Sequence, residues 1–293
     1  VDLTDLAGQQ IAAPAIIKVF ANGDANGNAG SSVPETSGSD LVVGETMLYD
    51  IVVTLPEGTA TNLSIDDLIP PGLALDMSFN GGSGYEIIRT VAGSDALTPD
   101  FAGILTGGTP QGIGGTVGQD GVDARLSFTA SVNNADNDAS NNSFVIRVRL
   151  VASNSIDNQS GRTLGNSSQI TYTDPDGDVA GGTAVDRTVA QGNSAPSVTV
   201  REPTLTVTQT QTNDGSTLGG DGGKTITYTI VIGNSSGFGA YDISFSEGFS
   251  TQYLTNFSNL NVVYANGAVV AGGGVGFEIV NGGDANSGTW SAK

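Results

Sequence analysis

The chain reads SFVIRVRLV from Ser143 to Val151, and this stretch decides the fold class. Its Val, Ile and Leu side chains alternate with Arg147 and Arg149, so one face is apolar and the other is charged. A period of two is typical of a β-strand that buries one face against a core. The stretch therefore predicts a half-buried strand.

Four further segments carry strand signals of the same kind. They are rich in β-branched and aromatic residues, and short clusters of Gly, Asn, Asp and Ser separate them, which is the pattern of an all-β, Ig-like antiparallel β-sandwich. The segments are 47–53, 125–132, 169–173 and 197–200. One short helix is predicted over 99–105, because Thr98 can cap it and Pro99 suits its first position. We expect almost no other helix.

Composition excludes several classes of chemistry. The 293 residues include no His and no Cys, which removes Ser-His-Asp triads, cysteine nucleophiles and the usual zinc, haem and iron–sulfur sites. With 30 Asp and Glu against 10 Lys and Arg, the net charge of -20 argues against nucleic acid and anionic membranes as partners. No apolar run is long enough to span a membrane. We predict that the protein is not an enzyme.

An internal repeat organises the chain. Residues 44–54 read GETMLYDIVVT and residues 223–233 read GKTITYTIVIG, with Tyr49 and Tyr228 at matching positions. Three more pairs of segments match in the same order: 14–20 with 203–209, 62–67 with 242–247, and 84–88 with 276–280. Ordered self-similarity of this kind predicts two copies of one domain.

The repeat sets the expected domain boundaries. Residues 1–11 form an extension, residues 12–200 the first copy with a Gly-rich insertion at 103–121, and residues 201–293 a second copy that lacks its C-terminal half. A sandwich without its closing strands leaves open edges. Either the chain is a fragment of a longer repeat protein, or a neighbouring chain completes the second copy. A start at Val1, without an export signal, predicts a mature or excised chain.

Three pieces of the first copy resemble a known family. They are the strand 43–53, the turn 65–73 with its Pro-Pro-Gly, and the strand 164–171, which Asp174-Pro175-Asp176-Gly177-Asp178 follows. They are similar to the Ig-like conserved-repeat domain (domain of unknown function eleven) of bacterial and archaeal surface proteins. The second copy keeps only the first piece well.

The resemblance implies a function without catalysis. Such domains are tandem β-sandwich modules of large exported adhesins, cell-wall or surface-layer proteins and filaments. It implies an extracellular structural module whose partners are further copies of itself or adjacent repeats. The alternative is an adhesin module that binds a glycan or a host surface, with the insertion at 103–121 as its contact loop, because loops on rigid scaffolds carry binding.

Calcium is the predicted cofactor, because it prefers carboxylate, amide and carbonyl oxygens at alternate positions of a turn. Two loops supply such rows, and the ligands would be Asp174, Asp176 and Asp178 in one and Asp24, Asn26, Asn28 and Glu35 in the other. A weaker cluster lies at 133–138. The alternative reading of each is a solvated acidic turn. Bound cations would also relieve the self-repulsion of the acidic chain.

Lys18 stands alone in an apolar strand segment. Some surface Ig-like domains join a Lys to an Asn through a nearby carboxylate, and Asn166 with Asp66 or Asp67 offers the residue types for such an isopeptide bond. In the repeat alignment, Val207 of the second copy matches Lys18, so the second copy does not repeat the lysine. The alternative is a Lys whose stem packs while its amine reaches solvent. Adjacent strand residues point to opposite faces, so the two aspartates do not form a glycosidase pair.

Overall fold

A computed structural model describes two compact units, Val1–Glu202 and Pro203–Lys293. The described residues are 13–21, 36, 38–88, 101–105, 108–133, 135–174, 177, 182–213, 225–236, 245–248, 279–281 and 289–292. Their regular structure is β-strand, with short 3₁₀ turns, so the all-β prediction is confirmed. The described residues contain no helical segment that could span a membrane.

The first unit contains fourteen described strands. They are β1 (Ala15–Phe20), β2 (Asp40–Val42), β3 (Thr46–Thr54), β4 (Gly58–Leu68), β5 (Leu73–Leu75), β6 (Tyr85–Ile88), β7 (Phe101–Leu105), β8 (Gln111–Ile113), β9 (Asp123–Asn133), β10 (Ser143–Ala152), β11 (Thr163–Gly165), β12 (Ser167–Asp174), β13 (Val185–Ala190) and β14 (Ser197–Arg201). The strand segments predicted from periodicity fall within β3, β9, β10, β12 and β14.

These strands form two large sheets and a small one. The first sheet has the order β1-β3-β10-β5, with β6 also beside β10. The second has the order β13-β12-β4-β9-β7, with β8 also beside β9, and the small sheet has the order β11-β14-β2. Pairing is antiparallel except between β14 and β2. Side chains from both large sheets meet in one apolar core, which makes the unit a β-sandwich.

Strand β10 shows how the pattern produces the packing. Its alternate residues Phe144, Ile146, Val148 and Leu150 are buried in the core. The ring of Phe144 meets Phe128 of β9 edge to face, with 6.1 Å between ring centres. The intervening arginines lie on the outer face, where Arg147 donates to both carboxylate oxygens of Asp50 at 2.7 and 2.8 Å.

The short helix predicted over 99–105 is wrong for its described part. Phe101–Leu105 is strand β7, and it pairs antiparallel with β9. A helix this short is unstable alone, and Gly103 weakens it further. The open edge of β9 offers hydrogen-bond partners instead. Thr98 and Pro99 lie outside the described residues.

The Gly-rich insertion lies against the Pro-Pro-Gly turn. Asp120 accepts a hydrogen bond from the Gly72 amide at 2.7 Å, and the Gly121 amide donates to Leu73 at 2.9 Å. A Cβ on Gly121 would lie 2.9 Å from the Cα of Pro71, so only glycine permits this approach. This part of the predicted contact loop is therefore packed onto the turn.

The second unit contains five described strands. They are β15 (Leu205–Asn213), β16 (Ile226–Asn234), β17 (Phe245–Gly248), β18 (Ile279–Asn281) and β19 (Thr289–Ala292). Strands β15 and β16 pair antiparallel, and β19 lies between β17 and β18. Whether this unit repeats part of the first, with its closing strands missing, stays a prediction.

Strand register bears on the predicted repeat alignment at Lys18. Lys18 lies opposite Ile51 in the first unit, and Gln209 lies opposite Ile230 in the second. If the predicted repeats are aligned on Tyr49 and Tyr228, Ile51 matches Ile230, and the residue in the place of Lys18 is then Gln209, where the sequence alignment has Val207. A slip of two residues keeps the same strand face, so the apolar pattern does not distinguish the two alignments.

Candidate functional site

Lys18 projects from β1 into the core of the first unit. Ile16 and Lys18 alternate inward on this strand, while Ile17 and Val19 face outward and are 40% and 38% exposed. The Lys18 side chain is completely buried, with its Nζ 5.0 Å from the ring centre of Tyr49. The reading in which its amine reaches solvent is therefore wrong.

Asp67 is the carboxylate that meets this lysine. It lies on β4, is completely buried, and binds Lys18 Nζ through Oδ1. Its neighbour Asp66 points to the other face, where its two oxygens accept from Arg125 at 2.6 and 2.7 Å and one also accepts from Gln169. Of the two aspartates that the sequence offers as the cross-linking carboxylate, Asp66 is therefore excluded, because strand geometry turns it away from Lys18.

Asn166 completes the group. It lies between β11 and β12, one residue before a strand whose Ser168 pairs with Asp67, and its side chain is completely buried. Its side chain faces Asp67, where it opposes the rise that burial causes in the pKa of that carboxyl. Yet within the described part of the chain Asp67 Oδ2 and both polar atoms of Asn166 lack a hydrogen bond of normal geometry. Unpaired buried polar atoms cost about 1–3 kcal/mol each, so their clustering needs an explanation.

Burial shifts the pKa values of Lys18 and Asp67 in the directions that favour their neutral forms. Loss of solvent lowers the pKa of Lys18, although the charge and hydrogen bond of Asp67 oppose the shift. Loss of solvent also raises the pKa of Asp67, opposed by Lys18 and Asn166. Burial, and to a lesser degree the charge of Asp67, raises the pKa of Tyr49, whose hydroxyl lies 3.0 Å from Met47 Sδ.

The amine, the carboxyl and the carboxamide of this site are groups that can react with one another. A neutral amine is a nucleophile, and desolvation is one of the ways in which proteins activate a lysine. A protonated carboxyl beside a carboxamide can polarise its carbonyl and carry protons. Lys18, Asp67 and Asn166 together therefore supply a nucleophile, an acid–base group and an acyl group in the buried interior of the first unit.

Of the predicted calcium ligands, the structure describes only Asp174. Asp174 is at the end of β12, where its Oδ2 binds Arg187 at 3.2 Å. Asp176, Asp178, Asp24, Asn26, Asn28 and Glu35 lie outside the described residues. Across the described ranges, no group of three acidic side chains is arranged to hold a metal ion. In the weaker cluster, Asp136 and Asp138 cap a local turn around Ser140 and Asn141. Calcium binding stays a prediction.

A signal for Asp67 was present in the sequence. Leu63, Ile65 and Asp67 alternate along β4, and the two apolar residues are buried. Extending that period by one step places Asp67 on the core face and Asp66 on the other. The contacts that Lys18 makes with Asn193 carried no such signal, because 175 positions separate the two residues.

No protein-family model and no curated protein matches the chain. Among solved structures, BcpA, the major pilin subunit of Bacillus cereus, is similar over 96% of this chain and 66% of its own length, at 10% identity and a TM-score of 0.35. The 35 kDa C-terminal fragment of the major pilin GBS80 of Streptococcus agalactiae is similar over 67% and 58%, at 12% identity and a TM-score of 0.33.

The collagen binding subdomain ACE19 of the Enterococcus faecalis surface protein ACE is similar over 65% of this chain and 99% of its own, at 15% identity and a TM-score of 0.28. The chain spans less than two thirds of the length of the two pilin chains. Likeness at these TM-scores carries no argument about function.

Proposed function

We propose that the first unit is a structural module of a cell-surface protein, closed by an amide bond between Lys18 and Asn166 that Asp67 catalyses. The observation that carries this proposal is the complete burial of Lys18, Asp67 and Asn166, with Asp67 bound to Lys18 and facing Asn166. A lone buried ion pair is a weak source of stability, because desolvation offsets its attraction. A reaction site accounts better for the amine, the carboxyl and the unpaired carboxamide together.

The proposed step forms one bond and breaks one. Proton transfer from Lys18 to Asp67 leaves a neutral amine, whose Nζ attacks Cγ of Asn166 while the protonated Asp67 donates a hydrogen bond to Oδ1. Asp67 then takes one proton from Nζ and gives its own to Nδ2. The Cγ–Nδ2 bond breaks and ammonia leaves, so the products are a Nζ–Cγ amide and one ammonia.

The position of this bond suits a protein under tension. Lys18 lies on β1 of one large sheet, and Asn166 directly precedes β12 of the other. A covalent link between them would join the two sheets and enclose most of the unit. Cross-links that close loops of roughly 100 residues stabilise a fold by about 4–5 kcal/mol in the chain-entropy model.

Composition is consistent with a place outside the cell. The chain has no cysteine to oxidise, and its net charge of -20 keeps it soluble and apart from anionic surfaces. We extend the proposal to tandem modules of a filament, stalk or surface layer. Regular fibres or lattices in negative-stain micrographs would support that extension. Dispersed monomers retained on a glycan array would support an adhesin module instead.

Single-molecule pulling of the full chain tests the structural role. With the bond in place, the residues between Lys18 and Asn166 cannot extend when the first unit unfolds. At about 3.5 Å per residue, roughly 500 Å of contour length should be missing. Asp67→Asn should restore this length, and Asp138→Asn, at the exposed turn, should not. Full extension of the unaltered chain would refute the proposal.

A further inference from the structure

One surface connection contacts the backbone of both proposed reaction partners. It comprises residues 191–196, between β13 and β14, and we call it the strap. It lies near the edge of the sandwich where β1 and β12 approach each other. Its hydrogen bonds go to the strand that carries Lys18 and to the start of the strand that follows Asn166.

The strap fixes Lys18 through an asparagine side chain. Asn193 Oδ1 accepts a hydrogen bond from the Lys18 amide at 3.2 Å, and Asn193 Nδ2 donates to the Lys18 carbonyl at 2.7 Å. The Gly192 amide donates to the Ile16 carbonyl at 2.9 Å. Strand β1 is at the edge of its sheet, and these groups face away from β3. The strap therefore supplies the partners that a neighbouring strand would otherwise provide.

The same strap fixes the strand start beside Asn166. Gln191 Oε1 accepts from the Ser168 amide at 2.7 Å, and the Gln191 amide donates to the Ser168 carbonyl at 3.1 Å. The Asn166 amide donates to the Pro196 carbonyl at 3.0 Å. Gln191 Nε2 also donates to the Asn193 carbonyl at 2.9 Å, which ties the two halves of the strap together.

We propose that Gln191 and Asn193 are positioning residues that set the separation of Lys18 Nζ and Asn166 Cγ, an inference that rests on the proposed amide bond. In the described residues, neither side chain hydrogen-bonds to a reacting atom. Asn193 holds the backbone of Lys18 itself, and Gln191 holds the backbone of Ser168, two residues after Asn166. Attack on a carbonyl needs the two atoms at about 3–3.5 Å, and a misplacement of about 1 Å can slow a reaction 100-fold. A device that holds both backbones at once meets this demand.

The test follows amide formation while the full chain is made. Cell-free synthesis is sampled over time, each sample is quenched in acid, and intact mass gives the fraction that has lost ammonia. Limited proteolysis of parallel samples gives the fraction that has folded. The variants are Asn193→Ala and Gln191→Ala. The control is Gln159→Ala, which removes a surface amide that donates to the Ile156 carbonyl at 2.7 Å.

We expect both strap variants to form the amide at least about tenfold more slowly per folded molecule, while the control matches the unaltered chain. Equal rates per folded molecule would overturn the positioning role and leave the amide bond standing. A full mass in the unaltered chain itself would instead overturn the proposed function. If Asn193→Ala does not fold, Asn193→Asp keeps the acceptor for the Lys18 amide and is judged by the same rates.

Discussion

Asp67 binds the amine of Lys18 inside the sandwich, where both side chains are completely shielded from solvent. The two residues come from different sheets, on β4 and β1. Their pKa values shift in opposite directions for the same reason, since burial disfavours either charge. With the carboxamide of Asn166 facing Asp67, the proposed amide bond would form from the neutral forms of this pair.

Removing one partner of the Lys18–Asp67 ion pair should lower the free energy of unfolding more than replacing both partners with apolar residues. All variants at Lys18 or Asp67 lack the proposed amide, so they can be compared directly. Lys18→Met and Asp67→Leu each leave one buried polar partner, whereas the double variant leaves none. We expect the double variant to exceed the Asp67→Leu variant in free energy of unfolding by about 3 kcal/mol. Urea unfolding measures this difference, and strictly additive losses would contradict it.

The same pair predicts opposite pH dependences. In Lys18→Met, Asp67 keeps a pKa raised above 3.8, so the folded state binds more protons and stability falls as pH rises through the window above that value. In Asp67→Asn, Lys18 keeps a pKa lowered below 10.5, so stability falls as pH drops below that value. Thermal unfolding between about pH 4 and pH 10 tests both slopes. Parallel slopes in the two variants would show that the buried groups do not control them.

The close packing of Gly121 against the Pro-Pro-Gly turn can be tested by substitution, with Gly114 as the matched control. Gly121 and Gly114 have positive φ, 65° and 78°, so Ala costs similar backbone strain at either. Only at Gly121 does a Cβ meet a neighbour, the backbone of Pro71, while the space at Gly114 is open. Gly121→Ala should therefore lower the free energy of unfolding by at least about 1 kcal/mol more than Gly114→Ala. Equal losses would mean that the insertion does not pack on the turn.

Calcium remains testable in solution. If Asp174 is a ligand, the ion must displace Arg187 from its carboxylate. Millimolar calcium should then raise the melting temperature by several degrees, EDTA should reverse the rise, and Asp174→Asn should reduce it. No shift with calcium would dismiss the ion. An equal shift with magnesium would indicate general charge screening.

The strands could be predicted from the sequence more readily than the site. The alternation in β10 was enough to place Phe144 inside and Arg147 outside, because one face of a strand repeats every second residue. Strand β7 was missed because its pairing with β9 is a tertiary contact that overrides a weak local helix signal.

The residue types of the site were visible, but their contacts were not. The alternation along β4 was enough to favour Asp67 over Asp66, but the burial of Lys18 depended on the closure of two sheets over it. No local sequence pattern predicted the strap, because 175 positions separate Asn193 from Lys18. Patterns within one segment describe its faces, whereas contacts between distant segments follow from topology.

The most direct measurement is the intact mass of the purified chain under denaturing conditions. Formation of the Lys18–Asn166 amide removes one ammonia, so the mass should lie about 17 Da below the sequence value. Lys18→Met and Asp67→Asn should each give their full sequence mass, and proteolysis of the unaltered chain should release one branched peptide containing Lys18 and Asn166. An unaltered chain at its full sequence mass would contradict the account.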